Sequence, residues 1–180
     1  MTTATPRDQE EYTALRATIR ERGTARVWVF TAGIVAWGAL TVVTAAVAST
    51  PVATLVPLLV LAAVFEAVYA LHIGVERVGR YLQVFYEDEE PGAPGWEHAA
   101  MAFGRPKGAA TLDPLFTIPF ALAAIFNVMP ALIVQPIIQE LVFVGGAHAL
   151  FVLRLFVARD TAAKQRAIDL SRFTELKRRS

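Results

Sequence analysis

The chain has 180 residues, with 17 Lys and Arg against 16 Asp and Glu, and it contains no cysteine. Its mean hydropathy is positive and 55% of its residues are hydrophobic, which is typical of membrane proteins and rare in soluble domains of this length. The balanced charge provides no basic field that would recruit nucleic acid. The lack of cysteine excludes disulfides, thiolate catalysis and Cys-ligated zinc or iron–sulfur centres.

The first segment, residues 1–26, mixes acidic and basic residues with apolar positions at Tyr12, Leu15 and Ile19. These three positions recur at helical spacing and fall on one helix face. The segment therefore predicts a cytoplasmic amphipathic helix that continues into the apolar residues after it.

Residues 27–73 contain two apolar stretches, 27–47 and about 52–73, and only Glu66 interrupts the second. Each is long enough to cross a hydrocarbon core of roughly 30 Å. A backbone in lipid must satisfy its own hydrogen bonds, so such stretches are helical. The short link 48–51 then predicts a first transmembrane hairpin.

Residues 114–157 contain two further apolar stretches: 114–135, which is uncharged, and about 137–157, which has Glu140 near one end and Arg154 near the other. The link between them, residues 134–136, again allows only a tight turn. The predicted fold is therefore an all-α membrane protein with four transmembrane helices in two hairpins, the helices extending into the cytoplasm.

Residues 74–113 are predicted to continue the second helix and then form a cytoplasmic loop, and residues 158–180 to form a C-terminal cytoplasmic helix. In the loop, Trp96 is expected at the membrane interface, where tryptophan is common. Arg105 and Lys107 are expected to contact lipid headgroups, since the glycine-rich run around them lacks the spacing of a phosphate-binding loop.

The positions of Lys and Arg predict the orientation of the chain. Every one of them precedes residue 27, lies in the middle segment, or follows residue 153, and the links 48–51 and 134–136 have none. Positively charged segments stay in the cytoplasm, so both termini and the middle segment are expected there. The excess of Arg over Lys and the abundance of Ala and Val indicate a bacterial chain, hence a multi-pass protein of the inner membrane.

Glu66 is the most unusual residue, because it lies roughly 9 Å inside the second span when counted from residue 72. Steps of 100° place Tyr69, Glu76 and Arg80 in the same sector, and Glu76 is expected to pair with Arg80 four residues later. A buried carboxylate needs a partner or a wet cavity. Counted by depth on the fourth span, two basic candidates bracket Glu66, namely Arg154 and His148.

Two interpretations of this region stay open. In one, Glu66, Tyr69, His148 and Arg154 form an intramembrane polar site for a proton, a cation or a small ligand. In the other, Glu66 and Arg154 form a structural pair that fixes how the hairpins dock. The spacing does not choose between them.

No metal and no cofactor is predicted. His72, Glu76 and His98 are weak candidates for metal ligands: the first two lie on one helix face, but a closed site needs more ligands, and nothing in the sequence forces His98 to join them. A haem held by His72 and His148 is disfavoured, because the two differ by roughly 13 Å in depth. No pattern matches a nucleophile and its base, so no catalytic residue is predicted.

The function favoured by these observations is that of a non-enzymatic subunit or scaffold of a membrane complex. Its expected partners are the lipid bilayer, further copies of the chain or other membrane subunits, and Gly145, Gly146 and Ala149 offer a surface for close helix contact. The alternative is a small oligomeric channel or transporter for ions or protons that uses the Glu66 site. A membrane-embedded enzyme is the second alternative.

Overall fold

The computed structural model describes residues 5–87, 95–103 and 115–179. These residues form helices joined by short connections, without a strand among them, which confirms the all-α prediction for the described part of the chain. The helices are α1 (Pro6–Val47), α2 (Leu55–Leu82, preceded by a 3₁₀ turn at Pro51–Thr54 and followed by a π-helical turn at Gln83–Glu87), α3 (Trp96–Phe103), α4 (Thr117–Ile133) and α5 (Ile138–Arg179).

The chain divides into two compact units. The apolar unit consists of Arg26–Ala70 and Asp113–Thr161. The charged unit consists of Met1–Ala25, Leu71–Leu112 and Ala162–Ser180. Each unit has its own core and its own polar contacts.

Among the described residues, three helical segments are long and apolar enough to span a membrane: α1, the continuous segment Pro51–Glu87, and α5. The predicted third span, 114–135, is shorter than expected, because α4 has only 17 residues. Phe116 has a left-handed φ of 50°, which ends the helical geometry before Thr117. At the other end, Gln135 has a positive φ and precedes a proline, a position that disfavours helix.

Aromatic side chains form the core of the apolar unit. Phe30 of α1 stacks on Phe116 with ring centroids 4.1 Å apart and meets Phe120 of α4 edge-on. Phe65 of α2 meets both Phe120 and Phe151 of α5 edge-on. Edge-to-face and offset arrangements are the favoured geometries of aromatic pairs, so these rings tie all four helices of the unit together.

Helices α1 and α2 approach each other closely at Gly33. This is the only buried residue of α1, and a Cβ atom placed there would lie 2.4 Å from the side chain of Val64. Only glycine leaves room for this contact.

The outer surface of the apolar unit is predominantly hydrophobic. All but three of the exposed large hydrophobic side chains of the described residues belong to this unit, the exceptions being Trp96, Ile168 and Leu176. Monomeric soluble proteins rarely expose so continuous an apolar surface. The surface fits contact with hydrocarbon.

Ion pairs and aromatic rings hold the charged unit together. Arg166 of α5 pairs with Glu76 of α2 at 2.8 Å. Arg80, the predicted partner of Glu76, forms its ion pair with Glu97 at 3.2 Å and also feels the charge of Glu76. The steps of 100° fail beyond Leu82, because the π-helical turn changes the residue spacing there and buries Gln83 and Val84 next to Leu82.

Candidate functional site

Glu66 and Arg154 form a bidentate ion pair in the apolar unit. The Arg154 Nε atom lies 2.9 Å from one carboxylate oxygen of Glu66, and Nη2 donates to the other at 2.9 Å. Parallel N–H···O bonds of this kind combine charge attraction with fixed geometry. The pair joins α2 to α5.

Two aromatic rings position the guanidinium of this pair. The Arg154 Cζ atom lies 5.0 Å from the ring centroid of Tyr69 and 5.9 Å from that of Phe65. Both distances are within the range of cation–π attraction. The structure therefore brings together three of the four predicted site residues, Glu66, Tyr69 and Arg154.

The ion pair lies on the outer surface of the apolar unit. The Glu66 side chain is 49% exposed and the Arg154 side chain 38% exposed.

His148, the fourth predicted site residue, lies in a different cluster. Its Nε2 atom is 2.9 Å from the side-chain nitrogen of Asn127, and its Nδ1 atom is 2.8 Å from the carbonyl oxygen of Val144. A carbonyl only accepts hydrogen bonds, so Nδ1 carries the proton and Nε2 accepts from Asn127. His148 is thereby assigned to one neutral tautomer.

Asn127 is the centre of this cluster and is fully buried. Its amide nitrogen also donates to the carbonyl oxygen of Thr54 at 2.8 Å, and its amide oxygen accepts from the indole N–H of Trp37 at 3.1 Å. The hydroxyl of Thr41 lies 3.3 Å from the same oxygen. One asparagine thus connects α1, the 3₁₀ turn, α4 and α5, and its donors are all used.

A buried charge cluster lies in the charged unit, around Glu97 of α3. One oxygen of Glu97 accepts from Arg16 of α1 at 2.7 Å, and the other accepts from Arg80 of α2 at 3.2 Å. Arg80 also donates to Gln83 at 2.7 Å. Because Glu97 lies between two arginines, it joins three helices in one ionic contact.

Glu87, at the end of the π-helical turn, caps the first turn of α3. Its carboxylate accepts from the backbone N–H groups of Glu97 and His98 at 2.9 and 3.0 Å, and it lies 3.1 Å from Nδ1 of His98. Burial raises the pKa of Glu87, but these hydrogen bonds outweigh it and hold the pKa below its ordinary value. An anion at a helix N-terminus is stabilised in this way.

The remaining predicted site residues lie apart from these clusters or outside the described residues. Trp96 is 71% exposed at the start of α3, while Arg105 and Lys107 are outside the described residues. Two of the weak metal candidates have other partners: Glu76 pairs with Arg166, and His98 lies against Glu87. The third, His72, is buried. Within the described ranges, no three His, Asp or Glu residues group closely enough to hold a metal ion.

Sequence reasoning missed the partners of Asn127 and the cluster around Glu97. An asparagine in an apolar stretch is a visible signal, because it must find hydrogen bonds in the core. Its partners Trp37 and Thr54 carried no such signal. Glu97 and Glu87 are separated by a Pro- and Gly-rich stretch, so their proximity is a tertiary property.

Comparison of the chain with protein-family models, with curated proteins and with solved structures found no match.

Proposed function

We propose that this chain is a four-span protein of the bacterial inner membrane and serves as a non-enzymatic subunit or scaffold of a membrane assembly. The observation that carries the proposal is that the polar side chains of the apolar unit bond to one another between helices. Glu66, Arg154, Asn127 and His148 are bonded to side chains on neighbouring helices. Polar residues used in this way hold membrane helices together.

Contacts at two levels of the apolar unit support four crossings. At one level, Phe116 and Phe120 of α4 contact Phe30 of α1. At the other, Asn127 of α4 contacts Trp37 of α1 and Thr54 in the turn before α2. Helix α4 therefore runs in the same direction as α1 alongside the stretch from Phe30 to Trp37, although it has only 17 residues.

The charge distribution favours an even number of crossings. Arginines precede residue 27, and eight Lys and Arg residues follow residue 153. Three crossings would place these two groups on opposite sides, whereas four place both in the cytoplasm, as the positive-inside rule expects. The links 48–51 and 134–136 then face the outside.

The channel or transporter alternative is less well supported. The Glu66 carboxylate already accepts two guanidinium N–H groups from Arg154, so its charge is compensated within the protein. A transport role for Glu66 would require this pair to open. A membrane-embedded enzyme would need a reactive group, and the buried His148 is held in one tautomer by Asn127 and Val144.

Native mass spectrometry of the protein, extracted gently from its own membrane, tests the assembly role. We expect a complex of defined mass, made of several copies of the chain or of this chain with another membrane protein. A monomer under conditions that preserve a known membrane complex from the same extract would contradict the proposal. Proton or cation flux in liposomes that is lost in Glu66→Gln would favour the channel instead.

A further inference from the structure

The Glu66–Arg154 pair occupies a costly position in a membrane protein. Both side chains are partly exposed on the outside of the apolar unit, on a surface that is otherwise predominantly hydrophobic. Lipid chains offer no hydrogen bonds, and charged groups within the hydrocarbon are costly unless polar groups surround them. Arg154 has three nitrogens and Glu66 two oxygens, so the single intramolecular pair leaves hydrogen-bonding capacity unused.

Small residues surround Glu66 on α2. Ala63, Ala67 and Ala70 are exposed, and their spacing places them with Glu66 on one helix face. Small side chains let a second helix approach closely within a membrane. We call this surface, together with Arg154 of α5, the Glu66 face.

We propose that the Glu66 face binds a second copy of this chain across a twofold axis, with Glu66 of each copy facing Arg154 of the other. The inference rests on the proposed membrane assembly and identifies one of its interfaces. A twofold interface must be self-complementary, and one acid beside one base fulfils this condition. The two pairs then form a cluster of four charges that the lipid does not reach.

The charges of the Glu66 face favour a second copy over a lipid headgroup. A phosphate needs an uncompensated cation, whereas the Arg154 guanidinium is already neutralised by Glu66 at 2.9 Å. A second copy supplies both an acid and a base, so every charge gains a second opposite neighbour. The alanines keep the approaching backbones close enough for these side chains to meet.

Cysteine crosslinking in native membranes tests this interface, since the natural chain contains no cysteine. Ala70→Cys lies on the Glu66 face, and Ile118→Cys on α4 is a matched control that is 66% exposed. We expect oxidation with copper phenanthroline to give a dimer at least fivefold more efficiently for Ala70→Cys. Equal yields, or a crosslink to a different protein, would overturn the proposal.

Charge exchange between two copies provides a second test. Glu66→Arg and Arg154→Glu should each lose self-association, because like charges then meet across the interface. When both variants are coexpressed with different tags, each copy supplies the charge that the other lacks, and co-purification should return. A purely intramolecular pair cannot be restored by mixing, so failure of the mixture while Ala70→Cys also fails to crosslink contradicts the interface.

The two tests separate this inference from the proposed function. If native mass spectrometry shows a complex but Ala70→Cys does not crosslink, the assembly stands and the Glu66 face is the wrong interface. If no complex forms under any mild extraction, both proposals are wrong.

Discussion

Asn127 shows how a single residue can specify the packing of the apolar unit. Its amide oxygen accepts from Trp37, and its amide nitrogen donates to Thr54 and His148. These groups come from different helices, so they meet only when all are packed correctly. A buried network that is fully hydrogen-bonded stabilises one arrangement over its competitors.

Replacing Asn127 with leucine should destabilise the protein. The indole N–H of Trp37, the carbonyl of Thr54 and Nε2 of His148 would lose their buried partner, and we expect a loss of about 2 kcal/mol. This loss of stability is measured as the difference in the free energy of unfolding between the variant and the natural protein in mixed detergent micelles.

The matched control for Asn127→Leu is Met129→Leu, an exposed position on the same helix, which should change stability by only a few tenths of a kcal/mol. If the network acts as a unit, the double variant should lose less stability than the summed losses of the single variants Asn127→Leu and His148→Leu. Strict additivity would show that Asn127 and His148 act independently.

At the level of single residues, depth along a helix predicted which side chains could meet, but not which of them do. Counting from the helix ends brought Arg154 within reach of Glu66, and the two side chains are in contact. The same counting grouped His148 with Glu66, although His148 bonds to Asn127 on another helix. Depth follows from the number of residues, whereas the direction of a side chain depends on how neighbouring helices pack.

Among the helices, the contact of α1 with α2 depends most on residue size. The α1 span consists of exposed and half-buried residues, and Gly33 is its one buried residue. The added methyl group of Gly33→Ala would meet Val64 at 2.4 Å and push the helices apart. We expect a loss of about 1–3 kcal/mol, as for other overpacked contacts, measured by thermal unfolding in detergent.

Gly38 is the matched control on the same helix, because a Cβ atom there would meet nothing within 4 Å. Gly38→Ala should leave stability unchanged or raise it by roughly 0.5–1 kcal/mol through helix propensity. Removing the opposing bulk with Val64→Ala should rescue Gly33→Ala. If Gly33→Ala and Gly38→Ala behave alike, close approach at Gly33 is not what holds α1 to α2.

The sequence predicted the existence of the helices better than their limits. Long uncharged stretches are unambiguous, because their backbone has few alternatives to helix in an apolar environment. The start of α4 at Thr117 depends on the left-handed conformation of Phe116, which no propensity favours. The π-helical turn at Gln83–Glu87 likewise shifts the faces of α2 and has no marker in the residue pattern.

At the scale of the whole molecule, apolar surface and charge are segregated. Large exposed hydrophobic side chains concentrate in the apolar unit, while most ion pairs lie in the charged unit. This segregation was readable from the sequence, because it depends on composition along the chain and not on packing. The relation of Arg16, Arg80 and Glu97 was not readable, since three separate helices must fold before those charges meet.

Four crossings with cytoplasmic termini make a sharp prediction for proteolysis. Trypsin cleaves after Lys and Arg, and none occurs in the links 48–51 and 134–136. Trypsin added outside spheroplasts should therefore leave the chain intact, whereas inverted membrane vesicles should yield fragments. With three crossings, the Lys- and Arg-rich end of α5 would instead be exposed to trypsin from outside. Shortening of the chain in trypsin-treated spheroplasts would therefore exclude four crossings.

The variant Ser49→Lys provides the positive control for this experiment. It places a cleavable residue in the first link, and Thr50 follows it, so the bond is not protected by Pro51. External trypsin should now cut the spheroplast protein once, into a short fragment containing α1 and a longer remainder. Because a single added lysine leaves the large excess of positive charge on the other side in place, the orientation should not change. Protection of the variant from outside, together with cleavage in inverted vesicles, would mean that the first link does not face the outside and that the proposed orientation is wrong.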